Sequence, residues 1–130
     1  MALMKFREPN QVRRVGVRPA HDGTQVLERG SADNATVVLY TVPAGKVFYL
    51  CHAWLNVQGV AAGSVYLAIY DGVPAVWRLL YTTAVPINTF YTVGEGNYYP
   101  PIEIPTTYSL RINSVGANCT ARGLIHGWVE

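Results

Sequence analysis

Residues 35–57, ATVVLYTVPAGKVFYLCHAWLNV, constrain the fold more than any other stretch of this chain. Two runs rich in Val, Leu and Tyr flank Pro43-Ala44-Gly45-Lys46. β-Branched and aromatic side chains suit a pleated, half-buried surface, while Pro and Gly interrupt it. The same pattern continues to the C-terminus, with strands predicted over 36–42, 46–57, 64–71, 73–82, 88–93, 108–114 and 119–129. A further short strand fits 25–28, and no helical periodicity of useful length is present. About eight short strands separated by turn residues predict an all-β fold: an antiparallel β-sandwich, jelly-roll-like, with an extended N-terminal arm.

Within 46–57, strict alternation puts Val47, Tyr49, Cys51, Ala53 and Leu55 on one face and Phe48, Leu50, His52 and Trp54 on the other. Both faces are apolar, so this strand is expected to be central and covered on each side. Asp71-Gly72 is a tight-turn dipeptide, and 73–82 is its expected hairpin partner. Gly94-Glu95-Gly96-Asn97 reads as a turn, Tyr98-Tyr99-Pro100-Pro101 as extended chain, and residues 108–129 as a final hairpin.

The chain divides into a basic arm, 1–34, and a sandwich domain, 35–130. Residues 1–30 carry six Lys and Arg against three Asp and Glu, whereas 31–130 carry four against five. Of the whole chain only 14% is charged, against roughly 25% in typical soluble domains. A low-charge surface with nine Tyr and three Trp is what a partner-covered surface needs, and also what the core of a small sandwich needs. No apolar run is long enough for a transmembrane helix, and the N-terminus lacks the apolar stretch of a secretory signal. Cys51 and Cys119 would pair if the protein were exported; without a signal, two reduced thiols are the expectation.

The residue types offer little catalytic chemistry. His21, His52 and His126 show no metal-ligand spacing, so no metal and no cofactor is expected. There is no G-x-S-x-G element, and the glycine turns do not lead into a helix as a phosphate-binding loop does. Glu95 and Glu103 flank a Tyr/Pro segment, which is the nearest approach to a paired-carboxylate site. The chain therefore reads as a non-enzyme. Arg7, Arg13, Arg14 and Arg18 in the arm are the expected partner-binding residues. Three net positive charges over thirty residues are modest for a nucleic-acid binder, so the expected partner is an acidic protein surface rather than nucleic acid or membrane. Trp77, Tyr98 and Tyr99 are candidate ligand or interface aromatics, set against a plain structural role as a rigid bridge between sheets.

TVPAGKVFYL at 41–50, a glycine-rich connection, and the closing segment YSLRINSVGANCTARGLIHGWVE together resemble small virion proteins of tailed bacteriophages. The resemblance covers residues 35–130 and implies a jelly-roll-like structural protein of the particle. Capsid decoration, or cement, proteins match best in size and in having a polar arm. The resemblance then implies a homotrimer that stabilises the phage head by contacting the major capsid protein or another virion protein. It also implies assembly in the host bacterial cytoplasm. Linked copies would raise avidity without strengthening any single contact. The alternative is a tail or fibre module that binds a host glycan or surface receptor.

Overall fold

In a computed structural model, the described residues are 23–86, 88–116 and 118–130. They form eight strands: β1 (Thr24–Asp33), β2 (Thr36–Thr41), β3 (Phe48–Gly59), β4 (Gly63–Tyr70), β5 (Val76–Val85), β6 (Thr89–Ile104), β7 (Ser109–Val115) and β8 (Cys119–Val129). Two four-stranded antiparallel sheets result, ordered β1-β8-β3-β6 and β2-β7-β4-β5. Strands β1, β2, β3 and β4 pair with β8, β7, β6 and β5 respectively, so the chain behaves as one long hairpin ribbon rolled on itself. Alternate pairs of the ribbon fall in opposite sheets, which is the jelly-roll-like winding expected from the sequence.

Large apolar side chains from both sheets fill the space between them. Phe48, Leu50 and Leu55 of β3 and Ile125 of β8 come from one sheet. Leu67 and Ile69 of β4 and Leu110 and Ile112 of β7 come from the other; all eight are fully buried. Each such side chain contributes about 1.5–3 kcal/mol of transfer free energy. The turn between β2 and β3 is built by the sequence that flagged it. Lys46 N–H donates to Pro43 C=O at 3.1 Å, and Gly45 supplies the positive φ, +76°, of a type II turn. Thr106 Oγ1 donates to Pro43 C=O and accepts from Gly45 N–H, both at 2.9 Å, which fixes the turn to the β6–β7 connection.

Several expectations change. Thr24–Asp33, part of the segment assigned to the arm, is β1 of the sandwich and pairs with β8 over ten residues. Its pattern hides because only Val26 and Ala32 are buried, while Glu28 and Arg29 interrupt the apolar alternation. Residues 1–22, with Arg7, Arg13, Arg14 and Arg18, lie outside the described residues. The closing segment is no hairpin: β7 and β8 belong to different sheets, and β8 lies between β1 and β3. Strand β3 does not alternate strictly. A bulge at Cys51 shifts the register between Leu50 and His52. Phe48, Leu50, Ala53, Leu55 and Val57 therefore all point inward, and Tyr49, His52 and Trp54 point outward, half-buried. One extra residue explains why both faces of a plain alternation look apolar. Both cysteines are free thiols, with Cys119 buried and Cys51 partly so; burial pushes the Cys51 thiol pKa up.

An aromatic groove between two edge strands

Strands β5 and β6 end their respective sheets on the same side of the sandwich. Gly94 and Gly96 are not a turn but inward positions of β6, opposite Leu55 and Ala53 of β3. They are glycine because the Tyr81 side chain of β5 lies across them. A Cβ at Gly94 would collide with the Tyr81 ring, and one at Gly96 would come within 2.8 Å of its hydroxyl. The freed space lets Tyr98 Oη donate to Tyr81 Oη at 3.0 Å, tying the two sheets together. Further along, Tyr91 Oη reaches Thr83 Oγ1 at 3.3 Å. Burial, and then the bond to Tyr81, hold the Tyr98 phenol far above its usual pKa, only partly offset by the Arg78 charge.

After Asn97 the β6 strand departs from β3. Asn97 pairs with His52 and Ile102 with Leu50, so Tyr98, Tyr99, Pro100 and Pro101 stand opposite the single residue Cys51. The Tyr99–Pro100 peptide is cis. This excursion forms one wall of an open groove of about 590 Å³, lined by Asn97 through Glu103 on one side and by Trp77 and Arg78 of β5 on the other. Trp77 is 46% exposed and Tyr99 57%. The Trp77 ring is held from behind by an edge contact to Tyr108, with centroids 5.3 Å apart and planes at 78°. Upstream, Asp71 Oδ1 accepts from Val73 N–H at 2.9 Å and Ala75 N–H at 3.0 Å, which fixes the entry to β5.

All three aromatics singled out in the sequence thus meet at one groove, with Trp77 and Tyr99 on its surface and Tyr98 turned partly into the sheet contact. Arg78, Asn97 and Glu103 add a cation, an amide and a carboxylate. Sequence reasoning missed Arg78 as a groove residue, since only the β5–β6 juxtaposition places it there. The carboxylates Glu95 and Glu103 are not brought together: Glu103 lines the groove, whereas Glu95 lies on the outer sheet face with Oε2 3.7 Å from His52 Nε2. Chemically, the groove offers stacking surface flanked by hydrogen-bonding groups of both signs.

Fold and groove define a class: a jelly-roll-like β-sandwich, with eight strands among the described residues and an aromatic recess between β5 and β6. The chain is similar to a chain of the cyanophage Pam1 capsid asymmetric unit, at 14% identity and a TM-score of 0.42, over 96% of this chain and 99% of that one. No residue role is transferred from that likeness. No protein-family model and no curated protein matches the chain.

Proposed function

We propose that this is a structural virion protein of a tailed bacteriophage, a capsid decoration protein that works by binding its neighbours and catalyses no reaction. The observation that carries the reading is the presence of two separate contact areas on one rigid sandwich. One is the β5/β6 edge, with Val76, Trp77, Leu79, Phe90 and Tyr99 exposed. The other is the outer face of the β1-β8-β3-β6 sheet, with Leu27 exposed and Trp54 half-buried. A protein that bridges subunits needs at least two such areas. The sequence resemblance at 41–50, which forms the β2–β3 turn and the start of β3, adds to it. Arg7, Arg13, Arg14 and Arg18 would supply charge-assisted bonds to an acidic capsid surface.

The test is cosedimentation of the purified full-length chain with heads that lack it. Saturable binding in a fixed ratio to the major capsid protein supports the reading, and its loss on deleting residues 1–20 assigns the arm. Absence of binding to any virion component ends the proposal.

A second reading is favoured by the groove itself: a tail or fibre module that binds a host glycan. Exposed Trp77 and Tyr99 rings beside Arg78, Asn97 and Glu103 are suited to the faces and hydroxyls of a sugar. Specific binding on a glycan array, abolished by Trp77→Ala, would establish this reading in place of the first.

A further inference from the structure

We propose that the outer face of the β1-β8-β3-β6 sheet is a two-fold interface with a second copy of this chain. The inference deepens the proposed particle role: of the two contact areas, this face joins copies of the chain, and the β5/β6 edge of each copy is left for the particle. Because of the Cys51 bulge, β3 directs Tyr49, His52 and Trp54 outward, and β8 directs Leu124 and His126 to the same side, while Trp128 is only 4% exposed and stacks on Tyr49 with ring centroids 5.2 Å apart. Leu27 of β1 joins them and is 62% exposed. Polar pairings set the imidazoles in place. Gln25 Nε2 donates to His126 Nε2 at 2.7 Å, and His52 Nδ1 lies 2.8 Å from Asn97 Oδ1.

The occupant follows from how charge is distributed across the strands. Register places Arg29, Leu124, Trp54 and Glu95 in one row over β1, β8, β3 and β6. The basic end of the row is at one edge and the acidic end at the other. A two-fold axis parallel to the strands lays β1 over the second copy's β6, and β8 over its β3. Each row then meets itself reversed. Arg29 stands opposite the second copy's Glu95, and Leu124 opposite its Trp54, with every contact made twice. The other in-plane axis, perpendicular to the strands through this row, sets Arg29 against Arg29 and Glu95 against Glu95, so charge alone selects between them.

Shape and size agree. A hollow of about 330 Å³ lies on this face, lined by Arg29, Gly30, Ser31, Trp54, Arg122 and Gly123. The second copy's Trp54 enters it between two guanidinium groups, a favourable cation–π setting. Sheets pack face to face at about 10 Å with strands within about 30° of parallel, which this axis provides. Four strands about 4.8 Å apart, each about ten residues long at about 3.3 Å per residue, give a footprint of roughly 600 Å² per copy. An interface over that whole face would bury about 1,200 Å² from both copies together, at the low end for a specific, stable pair.

The experiment is analytical ultracentrifugation of the full-length chain and of two charge reversals, Arg29→Glu and Glu95→Arg. The wild type is expected at twice the mass of one chain. Each reversal alone faces like charges twice and should weaken self-association by about a hundredfold or more. Mixed in equal amounts, the two reversals restore both opposite-charge contacts and should form a one-to-one dimer. The doubly substituted chain should dimerise with itself. Far-UV dichroism confirms that each variant is folded. A monomeric or trimeric wild type, single variants that remain dimeric, or a mixture that fails to pair would each overturn the interface.

Discussion

Across the middle of the sandwich the two sheets are held by aliphatic side chains that exclude water completely; Leu55, Leu67, Ile112 and Ile125 expose nothing. Along the β5/β6 side they are held by tyrosines whose hydroxyls meet each other, Tyr98 on Tyr81, above glycines that leave room for the ring. The first closure is tight and chemically silent. The second uses side chains with an apolar body and a polar tip, so it tolerates solvent at its rim, and the recess lined by Trp77 and Tyr99 opens there. Buried aliphatic packing is concentrated in one region and exposed aromatic and polar groups in the other, although both lie between the same two sheets.

Leu55→Ala should show the largest effect, a loss of about 2–5 kcal/mol in chemical denaturation, because a fully buried side chain leaves a cavity between the sheets. If it cost no more than a surface change, the central closure would not be the stabilising one. Gly94→Ala comes next. Its methyl would strike the Tyr81 ring and force β5 away from β6, for about 1–3 kcal/mol of destabilisation and a shift in Trp77 fluorescence. Unchanged stability would mean that Tyr81 does not occupy that space in solution.

Tyr98→Phe removes the bond to Tyr81 at a cost of about 1 kcal/mol near neutral pH. It should also change the alkaline limb. Burial and hydrogen bonding raise the phenol pKa of Tyr98, and that of Tyr70, whose hydroxyl lies 2.5 Å from Tyr66, is pushed up to about 12. A folded-state pKa above the unfolded value means that stability is fully present below about pH 10 and declines as pH climbs toward each raised pKa. Denaturation midpoints from pH 8 to 11.5 should fall steeply in the wild type and less steeply in Tyr98→Phe. Parallel curves would remove Tyr98 from the account. Trp77→Ala is expected to be the mildest, within about 1 kcal/mol, since its ring is nearly half exposed. A larger loss would make Trp77 part of the structural closure rather than the open side.

Much of the central region was legible in the sequence, because its signals are local. Pro43 and Gly45 announce the turn, and runs of Val, Leu and Ile announce β4 and β7. The hairpin after Asp71-Gly72 holds, with β4 paired to β5. Three features escaped because their cause lies elsewhere in the chain. The Cys51 bulge is an extra residue that only the pairing partners reveal. Gly94 and Gly96 look like turn residues until Tyr81, more than ten positions earlier, is seen to require them. The exposed β1 carries too few buried positions for its alternation to stand out. Of the groove, the three aromatics were found from residue type, but their convergence with Arg78 depends on two edges meeting in space.

The place of β8 has a consequence for how the protein is made. It is the shared neighbour of β1 and β3 in its sheet, and it is the last of the described strands in chain order. Until residues 119–129 have left the ribosome, β1 lacks its one partner among the described strands and β3 has only β6 beside it. Cooperative closure of this sheet therefore waits for residues 119–129, and the nascent chain must be kept from sticking to others while its pairing edges wait.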